Sequence, residues 1–503
     1  MSEQPSLWDS RPRLERSGPL GERYDVVVVG GVGLATAVET AARGASVALL
    51  EAPHLGAGAS GRTTAKVSVL QGTRLSRIAR RHDLATAARY LAGNLAGQRW
   101  VLERARELGV SVQRPAAVTY AARPEELGAV ERETEVCDKL GLPVRWREPG
   151  DEPFPFAGGV ELDEQAQLDP RELLEALAGH ATALGADVRT GVRVTGVHGG
   201  TVETTAGAVQ AGHVVLATGA PILDRGGFFA RLEPVRSYLV ALTGTQAPPE
   251  MFLSAGSPAR SLRRVPRAEG DVLLVGGNGH PTARSDSEAQ QVAGLVEWAA
   301  RWFPGARARE RWSAQDHESV DELPVAGPLL PGSDRVLLVT GLAKWGMTSG
   351  PAAALLLAAR VAGEPLPDWA GAFGSWSAHE LAGLGEAVKV NAQNAATLVA
   401  DRIAITGGAE AESPPAEGGG VVVRDGFSAV AVASLDGRTC AVRGTCTHLG
   451  GVVRWNDHER TWDCPLHGSR FAPDGSVLEG PATEPLEPAT SPFEEKGADG
   501  PAD

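Results

Sequence analysis

The sequence predicts an α/β domain built around a parallel sheet, an α+β lobe belonging to it, and a separate small all-β domain near the C-terminus. Three observations support this prediction. A β-branched run at Asp25–Val29 ends in a glycine turn that leads into a helical stretch and a second apolar run. An acidic stretch rich in proline and glycine, residues 406–419, separates a long part of the chain from a short one. The short part carries two loops that each combine cysteine with histidine.

The composition indicates a folded, acidic protein. Its 503 residues exceed the size of one compact core, and 43% of them are hydrophobic. With 62 acidic and 48 basic residues the formal net charge is −14, which disfavours nucleic acid or an anionic membrane surface as partner. No stretch approaches the ~20 apolar residues that span a bilayer, the N-terminus has no apolar leader, and four cysteines suit a reducing compartment. We therefore expect a cytoplasmic protein.

The front of the chain carries a dinucleotide-binding unit. In such a unit the N-terminus of a helix faces a pyrophosphate, and an acidic residue at the end of the second strand accepts a hydrogen bond from a ribose hydroxyl. The strand, glycine turn, helix, second strand and acidic residue are, in order, Asp25–Val29, Gly30-Gly31-Val32-Gly33, Leu34–Arg43, Ser46–Leu50 and Glu51.

The glycine turn departs from the usual G-x-G-x-x-G pattern in either register. If Gly33 is the third glycine, which packs the helix against the strand, the loop is two residues short. If the pattern starts at Gly31, its length is kept, but Thr36 occupies the position that requires glycine or alanine. Both registers remain open, and both predict weaker binding of the dinucleotide.

Two later apolar runs read as further buried strands of the same sheet. Residues 214–217 end in Thr218-Gly219, and residues 335–339 end in Thr340-Gly341. The second run is followed by Lys344-Trp-Gly-Met-Thr-Ser-Gly350 and an alanine- and leucine-rich helix. Separated segments of the chain thus converge on one sheet.

The two C-terminal loops have the donor set of a metal centre. Cys446-Thr-His448 is followed, after 15 residues, by Cys464-Pro-Leu-His467. Two thiolates and two imidazoles suit a [2Fe–2S] cluster in which the cysteines bind one iron and the histidines the other. The same set suits a structural zinc ion, although zinc sites usually place cysteine with cysteine and histidine with histidine in each loop. The arrangement favours the cluster. Cys137 and Cys440 read as ordinary thiols.

Residues 420–488 resemble the Rieske [2Fe–2S] family at both of its cluster-binding boxes, which implies the four ligands just named. One branch of that family has an additional cysteine in each box, joined as a disulfide, where this sequence has Gly451 and Leu466. That branch often has a tyrosine in the place of Phe471, whereas Ser469 is retained. Because fewer hydrogen bonds to sulfur stabilise the reduced cluster less, we expect a potential in the lower part of the range of roughly −150 to +300 mV.

Residues 24–400 resemble the FAD-dependent oxidoreductases of the D-amino-acid oxidase and glycine oxidase class. Four stretches resemble more narrowly its subgroup fused to a Rieske domain: Arg62–Lys66, Trp312–Asp316, Asp321–Pro324 and Lys344–Thr348. The resemblance implies a Rossmann-like FAD-binding domain with an α+β substrate lobe.

The same resemblance, taken with the dinucleotide unit, assigns the residues around FAD. Glu51 would hold the adenosine ribose and the backbone of Val194 the adenine. Gly346, Met347 and Thr348 would lie against the flavin, and the N-terminus of the helix that follows them would favour negative charge on the reduced flavin. The complete set of expected FAD contacts is Gly30, Gly31, Gly33, Glu51, Ala52, Ser60, Thr63, Thr64, Val194, Thr218, Gly219, Gly346, Met347 and Thr348.

The substrate lobe offers three candidate catalytic residues. Arg236 and Tyr238 lie where the chain enters a predicted strand, Tyr238–Leu242, and either one is placed to bind a substrate carboxylate by charge-assisted hydrogen bonds. A surface arginine and a packed tyrosine explain the same pattern equally well. Lys344 is the third candidate, and His280 is a weaker one. No protein nucleophile is required, because a flavin accepts the hydride.

These observations predict the following domain organisation: an N-terminal segment, 1–23; an oxidoreductase domain, 24–405, with FAD-binding parts 24–84, 166–221 and 321–365 and a substrate lobe of 85–165 and 222–320; a linker, 406–419; a Rieske domain, 420–488; and a disordered tail, 489–503.

The leading functional hypothesis is an FAD-dependent enzyme that oxidises an amine, amino acid or hydroxy acid and transfers electrons singly through the cluster. Its partners would be the small-molecule substrate and an external protein that accepts or donates electrons, since the parts allow flow in either direction. The alternative is a non-catalytic Rieske electron carrier or redox sensor in which the short glycine loop has weakened or abolished FAD binding. A third hypothesis is an oxidase that produces H2O2 and has a purely structural Rieske domain.

Overall fold

The computed structural model describes residues 4–10, 15–407, 413–426 and 428–493. Their contacts divide the chain into two compact units. The large unit consists of residues up to His280 together with Gln290–Val388, and the small unit consists of Pro281–Ala289 together with the chain from Lys389 onward. The contacts thus place the division inside a helix, 17 residues before the predicted domain boundary at 405.

The described residues form nine α-helices in chain order: α1 (Leu34–Ala42), α2 (Ala59–Arg62), α3 (Arg74–Arg81), α4 (Leu84–Glu107), α5 (Leu127–Lys139), α6 (Pro170–Ala183), α7 (Glu288–Trp302), α8 (Gly346–Ala362) and α9 (Leu384–Gly407).

The strands of the large unit, in chain order, are β1 (Arg23–Val29), β2 (Val47–Glu51), β3 (Lys66–Val67), β4 (Val112–Gln113), β5 (Ala117–Ala121), β6 (Arg145–Arg147), β7 (Gly158–Leu162), β8 (Ala166–Leu168), β9 (Asp187–Thr190), β10 (Val194–His198), β11 (Thr201–Thr204), β12 (Gly207–Leu216), β13 (Leu232–Thr243), β14 (Met251–Ser254), β15 (Arg260–Val265), β16 (Val272–Pro281), β17 (Arg307–Ser319), β18 (Val325–Leu330) and β19 (Ser333–Thr340). The last residue of β16, Pro281, already belongs to the small unit.

The first sheet of the large unit contains the predicted parallel strands. Its order is β10-β11-β12-β1-β2-β9, with β19 paired to β12 and β18 to β19. Strands β19, β12, β1, β2 and β9 run parallel. The valines of β1 are buried on both faces: Val26 and Val28 pack with α1 and α8, and Val27 and Val29 pack in a second core. Burial on both faces explains the uninterrupted apolar run, which is typical of parallel sheets.

The second sheet of the large unit has the order β17-β13-β16-β15-β14-β5-β7-β6. Side chains alternate across its long strand β13. Tyr238 and Val240 pack in the core that includes residues of α7, whereas Leu239 and Ala241 pack with Trp312 in another core. Both faces of this strand are therefore covered by protein.

The small unit contains two antiparallel sheets, as expected for an all-β domain. One consists of β20 (Gly420–Asp425), β21 (Ser428–Leu435) and β22 (Arg438–Arg443), and the other of β23 (Arg454–Asn456), β24 (Thr461–Asp463), β25 (Arg470–Phe471) and β26 (Val477–Glu479).

The edges of the small unit bear on the predicted linker and tail. Strand β20 begins at Gly420, directly after the predicted linker, of which residues 408–412 lie outside the described residues. In the predicted tail, the Ala489 N–H donates to the Ala441 carbonyl, and Phe493 packs against the core formed by the sheet of β20, β21 and β22. Residues 494–503 lie outside the described residues. No helix in the described part of the chain is long and apolar enough to cross a membrane.

Candidate functional site

Three of the expected FAD contacts and the turn at Gly341 follow strands of the parallel sheet. Gly30 directly follows β1, Ala52 follows β2, Thr218 lies two residues after β12, and Gly341 follows β19. Because these four strands are parallel, their carboxyl ends meet at the same edge, where nucleotide ligands bind in open α/β sheets. The topology therefore assembles the turns that an FAD site needs.

The geometry of Gly33 decides between the two registers of the glycine turn. A Cβ atom at Gly33 would lie 2.3 Å from Val28 Cγ1 and 3.0 Å from Ala217 Cβ, so only glycine allows α1 to approach the sheet this closely. This is the role of the third glycine in the dinucleotide-binding pattern. The register with Gly33 in that position is the one adopted, and the loop is two residues short, with Gly31–Gly33 forming one 3-10 turn.

Glu51 closes this short turn from the neighbouring strand. Its carboxylate accepts hydrogen bonds from the Gly31 N–H at 2.5 Å and from the Ala52 N–H at 2.9 Å. The acidic residue is thus held at the turn, where the predicted ribose contact requires it. The same bond engages an N–H of the shortened loop.

The segment after β2 forms α2 and an extended strand. Ser60 lies in α2, the Thr63 hydroxyl accepts from the Ala65 N–H at 3.1 Å, and the Thr64 carbonyl accepts from the buried guanidinium of Arg263. Burial lowers the pKa of Arg263 to about 9, and burial together with the Arg263 charge lowers the pKa of Lys66 to about 7. Two buried basic side chains therefore flank this segment; Lys66 lies in the Arg62–Lys66 stretch singled out in the sequence, whereas Arg263 was not singled out there.

The other two predicted contacts lie on β10 and after β12. Val194 is the first residue of β10 and is buried. Thr218 donates its hydroxyl to the Ala220 carbonyl, and Gly219 has a left-handed backbone with φ +77°. A Cβ atom at Gly219 would lie 3.4 Å from Nδ1 of His317, a buried residue of β17 that the sequence reasoning did not single out.

Helix α8 begins at Gly346, so Gly346, Met347 and Thr348 form its first turn, whereas the sequence placed the start of this helix after Gly350. The Thr348 hydroxyl is buried in a polar network, where it donates to Asn94 Oδ1 at 2.7 Å and accepts from Gln71 Nε2 at 3.0 Å. The Tyr90 hydroxyl extends this network by donating to Gln71 Oε1 at 2.6 Å. The Thr348 side chain therefore fixes the start of α8 to α4.

The loop before α8 contains two consecutive non-glycine residues in the left-handed region, Ala343 with φ 49° and Lys344 with φ 72°. Such backbone is costly and persists where the surroundings hold it in place. The Ala343 N–H donates to the His317 carbonyl, and the Lys344 N–H donates to the Asp316 carboxylate. Burial raises the pKa of Asp316 to about 6.

Two of the three candidate catalytic residues, Arg236 and Tyr238, lie on β13, and the third, Lys344, lies in the loop before α8. The fully buried Arg236 guanidinium donates to Ser313 Oγ at 2.9 Å and to Gln315 Oε1 at 3.0 Å. Arg236 and Tyr238 share one face of the strand, because side chains alternate. Lys344 and Ser237 instead approach the same position, within 3.0 Å of where a Cβ atom at Gly279 would stand. The structure thus separates Lys344 from the other two candidates.

Two contacts complete the surroundings of these candidates. The Tyr238 hydroxyl is hydrogen-bonded to His280 Nε2 at 2.8 Å. Lys344 Nζ lies 3.8 Å from Glu318 Oε1, and its side chain is 45% exposed. Lys344 is therefore the one of the three candidates with substantial access to solvent.

In the small unit the two predicted cluster-binding loops have the same backbone geometry. The Cys446 N–H donates to the Gly451 carbonyl, and the Cys464 N–H donates to the Ser469 carbonyl, each at 2.8 Å. Gly450 and Gly468 donate back to the carbonyls of Cys446 and Cys464, each at 3.1 Å. Both glycines have positive φ values, 73° and 81°, which explains their residue type.

The loops bring the four predicted ligands together as two pairs. The buried Cys446 and Cys464 thiols are hydrogen-bonded to each other, which lowers the pKa of Cys446 to about 7 and raises that of Cys464. The rings of His448 and His467 lie edge to face with centroids 5.1 Å apart. Among the described residues, no group of three or more His, Cys, Asp or Glu side chains converges as on a single metal ion. Separate sulfur and nitrogen pairs fit a two-iron cluster.

Hydrogen-bond donors surround the thiols as a cluster requires. The Cys446 sulfur accepts hydrogen bonds from the backbone N–H groups of His448 and Leu449 and from the Ser469 hydroxyl. The Cys464 sulfur accepts from the backbone N–H groups of Leu466 and His467.

Gly451 and Leu466, which replace the disulfide of the related branch, face each other. A Cβ atom at Gly451 would lie 2.8 Å from Leu466 Cδ1 and 2.9 Å from Cys464 Sγ. A side chain larger than that of glycine at position 451 would therefore clash with Leu466 and with the Cys464 sulfur.

Comparisons with known proteins agree with both halves of this description. Residues 25–360 match the family described as FAD dependent oxidoreductase, and residues 410–490 match the Rieske [2Fe-2S] domain. A protein of Bacillus subtilis (strain 168) described as a Rieske 2Fe-2S iron-sulfur protein, YhfW, is 30% identical over 479 residues, which cover 92% of each chain. The cytochrome b6-f complex iron-sulfur subunit 3 of Nostoc is 58% identical over 41 residues, 8% of this chain and 23% of its own.

Solved structures share the fold of the large unit. Glycine oxidase from Geobacillus kaustophilus has a TM-score of 0.58 at 24% identity and covers 69% of this chain and 96% of its own. L-proline dehydrogenase from P. horikoshii has a TM-score of 0.57 at 19% identity, with coverage of 70% and 97%. The chain therefore belongs to the FAD-dependent oxidoreductase family, uses FAD as cofactor, and has a Rieske [2Fe–2S] domain in its C-terminal part.

Proposed function

We propose that the protein oxidises a small amine, amino acid or hydroxy acid and releases the electrons one at a time through its Rieske domain to an external acceptor protein. The observation that carries this proposal is the pairing of thiols and imidazoles in two matched loops of a chain that is also an FAD-dependent oxidoreductase. FAD accepts two electrons from an organic substrate, whereas a [2Fe–2S] cluster transfers one at a time. One chain thus joins two-electron to one-electron chemistry.

The assignment of ligands follows the pairs seen in the small unit. Cys446 and Cys464 would bind one iron, and His448 and His467 the other. The N–H groups and the Ser469 hydroxyl that face the two sulfurs would stabilise negative charge on them.

In the large unit, the chain would hold FAD at the carboxyl edge of the parallel sheet. Glu51 is fixed at the glycine turn, close to where an adenosine ribose has to bind. The start of α8 is locked by the Thr348 network and by the left-handed loop before it. A rigid helix N-terminus at that position would favour negative charge on the flavin.

For the substrate, we favour Lys344 as the residue that attracts a carboxylate. It is charged, 45% exposed, and held by a loop that Asp316 fixes. Arg236 is fully buried and donates to Ser313 and Gln315, which fits a supporting role.

The proposed reaction is balanced without any further component. The substrate loses two electrons and two protons as its C–N or C–O single bond becomes a double bond. Two successive one-electron transfers to the acceptor protein take up the electrons, and the two protons pass to the solvent. The structural relatives named glycine oxidase and L-proline dehydrogenase support a small amino-acid-like substrate. The same parts support the opposite direction if the external protein is a donor.

The test combines optical and EPR spectroscopy on the purified protein without oxygen. A panel of amines, amino acids and hydroxy acids is added, and we expect the true substrate to bleach the flavin bands and to produce the EPR signal of a reduced Rieske cluster. In the Cys464→Ser variant the flavin should still bleach, but a one-electron acceptor protein should no longer be reduced.

Other outcomes would contradict the proposal. A cluster without bound flavin would support the carrier or sensor, and unchanged turnover with oxygen in the Cys464→Ser variant would support an oxidase with a structural Rieske domain. Zinc in place of iron would remove the electron-transfer role altogether.

A further inference from the structure

We propose that Arg284 holds the second cluster-binding loop in place and that its positive charge raises the reduction potential of the Rieske cluster. The inference deepens the proposed function and rests on the assignment of Cys464 and His467 as ligands. Arg284 lies 181 residues before the loop that it contacts.

The segment that carries Arg284, Pro281–Ala289, packs as part of the small unit although the chain on either side of it belongs to the large unit. Among the hydrogen bonds that attach this segment, three sets involve Arg454, Asp457 and Arg284. The Ala283 carbonyl accepts from Arg454 Nη1 at 3.0 Å. Asp457 accepts from the Ser287 hydroxyl at 2.5 Å and from the Ala289 N–H at 2.9 Å. Arg284 provides the third set.

The Arg284 guanidinium binds the cluster loop through two nitrogens. Its Nε and Nη2 donate to the carbonyl of Pro465 at 3.3 and 3.2 Å. Pro465 stands between Cys464 and Leu466-His467, so this carbonyl belongs to the backbone that carries both expected ligands of the loop. Nη2 also donates to Oδ1 of the buried Asn394 in α9. The guanidinium is therefore hydrogen-bonded both to the cluster-binding loop and to α9.

The charge of Arg284 should act on the cluster. A guanidinium stays protonated at any pH at which proteins are folded, and the two oxygen acceptors just described carry no charge of their own. Reduction adds one negative charge to the cluster, and a fixed positive charge beside a ligand loop favours the reduced form. Net charge and hydrogen bonding around the cluster are among the factors that set Rieske potentials. Arg284 thus opposes the lowering expected from Phe471 and from the missing disulfide.

The test is an EPR-monitored redox titration of the full-length protein with its cluster. We expect the Arg284→Gln variant to have a lower midpoint potential than the wild type. The Arg284→Lys variant keeps the charge but loses the pair of hydrogen bonds to the Pro465 carbonyl. Its midpoint potential should lie between those of the wild type and the Arg284→Gln variant. As a matched control, Ser287→Ala removes a hydrogen bond of the same segment without changing charge and should leave the midpoint unchanged.

A second variant guards against failure of Arg284→Gln to assemble its cluster. Asn394→Asp is isosteric, keeps the acceptor for Arg284, and places a negative charge against the guanidinium. Asn394 Nδ2 is a buried group without a hydrogen-bond partner among the described residues, so the exchange breaks no bond there. We expect its midpoint to fall below that of the wild type.

The outcomes separate this inference from the proposed function. If Arg284→Gln and Asn394→Asp assemble the cluster and titrate with the wild-type midpoint, Arg284 has no electrostatic role. If Ser287→Ala lowers the midpoint as much as Arg284→Gln, attachment of the segment rather than charge sets the potential. If the wild-type protein itself gives no Rieske EPR signal, the assignment of ligands is wrong before any variant is considered.

Discussion

At the scale of the residue, Gly33 is the position where a single methyl group has the most direct effect. In the Gly33→Ala variant the new Cβ would meet Val28 Cγ1 at 2.3 Å, so α1 has to move away from the sheet. We expect the free energy of unfolding to fall by about 1–3 kcal/mol, the usual cost of overpacking, and the fraction of protein carrying FAD to fall with it. Denaturant unfolding and the ratio of flavin to protein absorbance measure both effects.

The matched control is Gly179→Ala in α6. Gly179 is exposed, and a Cβ atom there has no neighbour within 4 Å among the described residues. Because alanine is favoured over glycine inside a helix by roughly 0.5–1 kcal/mol, this variant should be slightly more stable than the wild type and should bind FAD normally. Equal behaviour of the two variants would show that close packing at Gly33 is not required.

At the scale of the element, Asp316 of β17 connects the second sheet to the loop before α8. Its folded pKa of about 6 lies above the ordinary value of 3.8, so the folded protein holds this proton more tightly than the unfolded chain does. The resulting stabilisation is complete below about pH 3.8 and is lost as the pH rises through 6. The ionised carboxylate should therefore cost stability at neutral pH.

The Asp316→Asn variant tests this linkage, because asparagine does not titrate. Relative to this variant, the wild type should lose up to about 3 kcal/mol of unfolding free energy between pH 4 and pH 7. Urea unfolding of both proteins across this range measures the difference. A difference that does not change with pH would place the pKa of Asp316 outside this window.

Some elements could be predicted closely from local patterns. The helix predicted at Leu34–Arg43 is observed at Leu34–Ala42, and the strand predicted at Ser46–Leu50 is observed at Val47–Glu51. Apolar runs, the glycine turn and the closing acidic residue are all local features, so the sequence contains the information. The matched cysteine and histidine loops were predictable for the same reason.

Contacts between distant parts of the chain were beyond the reach of such patterns. Thr348 bonds to Asn94, 254 residues away, and Arg263 bonds to Thr64, 199 residues away. Asp316 lies in a stretch that resembles the family, yet its role depends on a loop 28 residues later that folds back onto it. Partners of this kind follow from the tertiary fold. For the same reason the sequence did not separate Lys344 from Arg236 and Tyr238.

At the scale of the whole molecule, the two compact units should respond separately to loss of the cluster. A metal centre bound by protein side chains stabilises the folded state of the unit that contains it. Larger chains also often unfold in more than one step. We expect calorimetry of the wild-type protein to show two transitions. The Cys464→Ser variant should lower the temperature of one and leave the other within about 2 °C, well below the shift expected from losing a metal site. A common shift of both transitions would show that the units unfold as one.

The small unit is built from two separate stretches of the chain, and this has a practical consequence for engineering. A fragment cut at Gly420 would contain every expected iron ligand, yet it would lack the nine residues Pro281–Ala289 that the chain contributes from elsewhere. A chimera that exchanges only the C-terminal portion between homologues would combine the cluster-binding loops of one protein with the residue that the other protein has at the position of Arg284. Transplanting the module with its native electrochemistry therefore requires both pieces to be moved together.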